Sequence, residues 1–348
     1  MLRPAGLKAE FTFRVIAPPQ WTVLSNAPAG GPPSPGADGR AVWEFLPTTR
    51  LPTFTTTVVA GDYHLVTGSH VMPSGRRIPL ELACRAGLAA HLDATALFEL
   101  AASGLDLYAG LLGVDYPYRK YGQVFVPELS CGASEDAGCI LISERLLPRS
   151  RATAAMAESR DGTLLHEMAH MWFGDLVTQQ WWDDLWLSES FADFCEYHAR
   201  GQLGRSPEAW STFSAGEKVR GFADDQLPSA HPVASDAATL SEAIANFDQI
   251  SYAKGASVLR QLAGYAGEQE FFAGLHDYLV RHAYGNARLA DLIDAVAASS
   301  GQDLAGWSRT WLQTAGPSTL RCQFRIDASG AFTGFAIVQE GTVMRPHR

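Results

Sequence analysis

Three side chains in this sequence have the types and spacing of a metal site. His166-Glu167-Met168-Ala169-His170 sets two imidazoles four residues apart in a helix-compatible stretch. Both rings then leave one face of the helix a turn apart and can point at one ion. Glu167 lies about a hundred degrees round the same turn, within reach of a water at that ion without ligating it. The five residues alone leave open a helix whose histidines merely face polar surroundings, so a third ligand must decide. Glu189 supplies it, from Trp186-Leu187-Ser188-Glu189-Ser190-Phe191-Ala192, a second helical stretch after the aromatic turn Trp181-Trp182-Asp183-Asp184. A two-helix hairpin would bring Glu189 back over the first helix. Two imidazoles and one carboxylate leave the fourth position of tetrahedral zinc to water, which is the catalytic rather than the structural arrangement. The spacing therefore predicts one Zn2+ per chain, held by His166, His170 and Glu189, with Glu167 as the general base.

The elements that must position these groups fall into three blocks, and the fold class they predict is α+β and multidomain. Residues 1–86 read as a β-domain, with strand patterns at Glu10 to Ile16, Trp21 to Ser25, Ala41 to Leu46, Phe54 to Ala60 and Ile78 to Cys84. Residues 87–317 mix helix and strand. Leu97, Leu100, Ala101, Leu105, Tyr108 and Leu112 fall on one helical face, Gln123 to Pro127 reads as a strand, and helical runs then dominate to Thr314. Residues 318–348 return to strand, with Thr319 to Ile326 and Ala331 to Gln339 joined by a turn through Ala328-Ser329-Gly330. A lone hairpin is marginal in water, so this piece reads as the opening of a further β-domain.

Composition narrows the function classes. The net charge of −10 argues against nucleic-acid binding, which needs clustered Lys and Arg to neutralise phosphates. Apolar residues are broken every few positions by polar ones, and no stretch reads as a membrane span. Cys84, Cys131, Cys139, Cys195 and Cys322 are odd in number and include no C-x-x-C pair, which fits a reducing cytoplasm rather than a disulfide scaffold. The N-terminal Met-Leu-Arg-Pro carries no apolar leader pattern.

With His166, Glu167, His170 and, after eighteen intervening residues, Glu189, the sequence resembles the aminopeptidase N family of zinc gluzincins. Trp172-Phe173-Gly174-Asp175 and Asp183-Asp184-Leu185-Trp186-Leu187 match that family's flanking text. The resemblance adds two elements. The family's G-x-M-E-N box is met by Gly132-Ala133-Ser134-Glu135-Asp136, with Ser134 in place of Met and Asp136 in place of Asn. It implies that Gly132, Ala133 and Glu135 bind substrate, Glu135 through the free α-amino group. The tyrosine of Ser251-Tyr252-Ala253-Lys254-Gly255 is implied as the oxyanion donor, where sequence alone favours an aromatic packed on the core.

The fold implied is a partial N-terminal β-saddle, a thermolysin-like catalytic domain and the start of a β-sandwich, truncated at both ends relative to the family. Exposed sheet edges and a tendency to associate are expected at such ends. The partners implied are peptides with a free N-terminal amine. An endopeptidase of the same zinc class, an epoxide hydrolase and a non-catalytic zinc-binding protein are the alternative readings.

Overall fold

This computed structural model describes residues 6–206, 208–341 and 343–347. The N-terminal Met-Leu-Arg-Pro lies outside them. The chain is mixed α and β, with one five-stranded sheet and several smaller ones. The larger sheet has the order Ala133–Ser134, Cys139–Ser143, Tyr121–Val126, Arg77–Arg85, Tyr63–Val71. Its inner three strands run parallel, and each outer strand is antiparallel to its neighbour. Two of its strands precede residue 87 and three follow it.

Tyr121 to Phe125 are all buried because the middle strand is covered on both faces, as parallel strands are. Tyr121 and Phe125 enter the main helical core. Val124 points the other way and packs with Leu24 and Val59, from the N-terminal strands Thr22–Ser25 and Val58–Gly61.

Helix α1 (Ala94–Leu112) starts where the Asp93 side chain accepts from the Ala96 N–H and stops at Gly113, whose φ of 64° continues no right-handed helix. Its buried stripe of Leu97, Leu100, Ala101, Leu105, Tyr108 and Leu112 is the one its periodicity predicts. Burial of each leucine contributes roughly 1.5–3 kcal/mol. By length and composition alone α1 is also apolar enough to cross a membrane, a test that a buried core helix passes as well. Here that stripe is occupied by the core, against α2 (Ala154–Ala169) and the helix Glu268–His282.

The C-terminal hairpin pairs Thr319–Ile326 with Phe332–Glu340, in register from Thr319 opposite Glu340 to a bulge at Arg325/Ile326. Among the described residues no disulfide forms.

Candidate active site

Helix α2 is capped by Thr153, whose side chain accepts from the Met156 N–H, and it carries His166 and Glu167 in its last turn. The regular helix ends at Ala169. His170 is the cap residue, still in αR backbone, with its N–H donating to the His166 carbonyl at 3.3 Å. The four-residue spacing therefore keeps its helical geometry at the point where the chain leaves the helix. Two contacts from α1 and its exit hold this end: the Tyr108 hydroxyl donates to the Leu165 carbonyl, and Trp172 Nε1 donates to the Val114 carbonyl, each at 3.0 Å. From the N-terminal region, Lys8 Nζ donates to the carbonyls of Asp175 and Leu176 at 2.9 and 3.0 Å and ties down the following turn.

Helix α3 (Trp186–Gln202) runs antiparallel against α2. Gly162 leaves room for the Glu196 carboxylate, which a Cβ there would displace. The pairing brings Glu189, in the first turn of α3, over the two histidines. His170 Nε2 lies 3.1 Å from His166 Nε2, and Glu189 Oε2 lies 3.5 Å from the first and 3.6 Å from the second. Zinc–ligand bonds of about 2.0–2.2 Å at tetrahedral angles separate donor atoms by about 3.3–3.6 Å. The three atoms thus form a triangle of the size one such ion needs.

The proton arrangement fits as well. His170 Nδ1 is 3.0 Å from the Phe173 carbonyl and 3.0 Å from Ser188 Oγ. His166 Nδ1 is 2.9 Å from Asp193 Oδ1, with Glu196 Oε2 at 3.9 Å. A carbonyl and a carboxylate only accept, so each Nδ1 carries a proton, and each ring that gives up its Nε2 proton to a metal presents that lone pair to the same point. Gly174, at φ 114°, makes the turn that leads from His170 toward α3, and a side chain there would strike Ser188 Oγ. Burial lowers the pKa of His170, but Glu189 beside it outweighs this and raises it to about 9. Burial pushes the Glu189 pKa up, yet His170 and His166 hold it well below the usual carboxylate range. Among the described residues no Lys or Arg pairs with Glu135, Glu167 or Glu189, so this acidic pocket calls for a cation.

Glu167 is 6% exposed, and burial raises its pKa to about 7 against the pull of His166 and His170. Tyr252 lies in a single π-helical turn, Ile250–Lys254, a distortion that recurs at functional sites. The turn is tied to α3 by Ser190 Oγ, which donates to the Ser251 carbonyl at 2.6 Å. The Tyr252 ring stacks on His166 at 6.2 Å and meets Phe247 edge-on at 5.4 Å. Burial, reinforced by Glu189, raises its hydroxyl pKa far above the ordinary value and keeps it a donor.

Glu135 is half-buried and lines the same cavity of about 250 Å3 as His166, Glu167, His170, Glu189 and Tyr252. It follows the edge strand Ala133–Ser134 of the larger sheet. Ala133 also lines the cavity, whereas Gly132 is exposed and does not. Asp136 is 5% exposed, and burial together with Glu135 raises its pKa to about 8. Burial thus favours its neutral acid form, close in size and charge to the asparagine of the G-x-M-E-N pattern.

Sequence reasoning missed Ser188, Asp193 and Glu196, which hold the histidine rings. The signal was present, because Glu189, Asp193 and Glu196 stand at helical spacing on one face of α3. Phe54, Cys131, Gln179 and Phe247, which also line the cavity, come from separate segments and carry no such signal. Asp193→Asn removes the carboxylate that fixes His166. Metal affinity measured by competition with a chelator should fall about 10–100-fold. Unchanged affinity would leave Asp193 a helix-packing residue only.

The family model described as "Peptidase family M1 domain" matches residues 97–311. The chain is 46% identical to aminopeptidase N of Streptomyces lividans over 98% of its own length and 40% of that protein. It is 32% identical to tricorn protease-interacting factor F2 of Thermoplasma volcanium, over 90% of this chain and 39% of the relative. To the leucyl aminopeptidase of Saccharolobus solfataricus it is 29% identical, over 91% and 39%. The chain thus spans about two fifths of the length of these relatives. The match to the family model and the near full-length similarity to aminopeptidase N show that this chain belongs to peptidase family M1, the aminopeptidase N family of metallopeptidases.

Proposed function

We propose that the chain carries the working site of a zinc-dependent aminopeptidase, which hydrolyses the first peptide bond of peptides with a free amino terminus. The observation that carries this reading is the triangle of His166, His170 and Glu189 donor atoms, 3.1 to 3.6 Å apart, on a cavity shared with Glu167, Tyr252 and Glu135, with which no Lys or Arg among the described residues pairs. Residues 87–317 would form a thermolysin-like domain whose sheet also takes in Tyr63–Val71 and Arg77–Arg85. The rest of residues 1–86 would belong to a β-saddle, and residues 318–348 to a β-sandwich.

Zinc, when bound, supplies Lewis acidity toward the scissile carbonyl and toward water. The chain's own residues do the rest. The Glu167 carboxylate takes the proton of the attacking water and hands it to the departing amine, and a pKa near neutrality suits it to both transfers. The Tyr252 hydroxyl donates to the carbonyl oxygen as negative charge grows on it. Glu135 pairs with the substrate ammonium, which sets the first bond, and no later one, beside Glu167. Ala133, at the sheet edge and on the cavity wall, offers main-chain groups to the substrate backbone, with Gly132 next to it outside the lining.

Turnover of amino-acid arylamides with and without a chelator tests the reading. Hydrolysis should cease with the chelator, return with zinc, and be absent for N-acetylated substrates. Zinc-loaded protein that turns over no arylamide would leave a non-catalytic zinc-binding chain.

A further inference from the structure

We propose that Gln179 selects the side chain of the substrate's first residue, favouring one that ends in a neutral carboxamide or hydroxyl group. This rests on the aminopeptidase reading above. Gln179 closes the two-residue strand Thr178–Gln179, which pairs in parallel with Asn286–Ala287. Asn286 Nδ2 donates to the Gln179 carbonyl at 3.3 Å, so the backbone is fixed. The residue lines the cavity with Glu135 and Glu167 and is 1% exposed. Among the described residues neither Oε1 nor Nε2 has a hydrogen-bond partner. Buried amides are normally satisfied, so one left without a partner in the wall of this cavity is a place where a ligand group can complete it.

The chemistry of that ligand follows from what each candidate can donate and accept. A satisfying group must bring an acceptor for Nε2 and a donor for Oε1. The substrate ammonium brings donors only, and Glu135 already offers it a charged acceptor. Lysine and arginine side chains also bring only donors and leave Nε2 unpaired. An acidic side chain brings only acceptors and would enter a cavity lined by Glu135, Glu167 and Glu189. An aliphatic side chain offers neither amide atom a partner. A carboxamide or hydroxyl meets both atoms. Ser134 lines the cavity too and extends its polar wall, while Phe54, Trp182 and Phe247 give apolar surface for the methylenes.

The test uses the hydroxamates of L-glutamine and L-methionine, which are close in length and volume. They are titrated by calorimetry into zinc-loaded wild-type and Gln179→Met proteins, beside hydrolysis of the two arylamides by wild type. The wild type should bind the glutamine compound about tenfold or more tightly than the methionine compound, as a buried hydrogen-bonding group left unpaired implies. In Gln179→Met that preference should vanish or reverse, with zinc content and Tm retained. An equal ratio in the two proteins, or no binding of either hydroxamate, overturns the proposal. Because binding is read without turnover, a kept preference with no arylamide hydrolysis counts against the aminopeptidase reading alone. Hydrolysis without preference counts against Gln179 alone.

Discussion

Glu167→Gln is expected to lower kcat by about 10^2- to 10^4-fold, the usual range for removing a general acid or base. The amide keeps the shape of the carboxyl but cannot take a proton from water near neutral pH. Glu167 is outside the triangle of ligand atoms, so zinc content should stay at the wild-type level. Burial already disfavours the Glu167 carboxylate, so the metal-free variant should unfold at the wild-type temperature or above it. That control separates lost chemistry from lost fold. Turnover kept within a few-fold of wild type would remove Glu167 from the proton transfer.

Tyr252→Phe should lower kcat by about 10^2- to 10^3-fold, the loss seen when one oxyanion donor is removed. The ring contacts with His166 and Phe247 survive the substitution, since only the hydroxyl is deleted. KM for the arylamide and zinc content should change little, because the donor acts on charge that is absent from the ground state. A rise in KM at constant kcat would instead assign Tyr252 to packing.

How much was legible depended on how local the signal was. The stripe of α1 was read but for Gly104, because one face of a long helix repeats it. The hairpin at Thr319 was placed within a residue by alternation around a Gly-containing turn. The helical spacing of His166 and His170 implied convergent rings, although the helix hands over to a turn at His170. By contrast, Tyr63–Val71 went unread. It is an outer strand with mostly exposed residues, and Thr67-Gly68-Ser69-His70 offers no apolar alternation. Gln179 and Phe54 were also out of reach: each sits in a segment too short for periodicity, and only tertiary packing brings them to the cavity. Asp193 was within reach, four residues beyond Glu189 on the same helix.

The zinc content of purified protein, measured by elemental analysis after dialysis with added zinc and removal of excess, tests the central claim most directly. One zinc per wild-type chain is predicted, with most of it lost in His170→Ala and Glu189→Ala, each of which removes one corner of the ligand triangle. Wild-type protein that is folded and offered zinc yet binds none, or variants that retain it fully, would contradict the account.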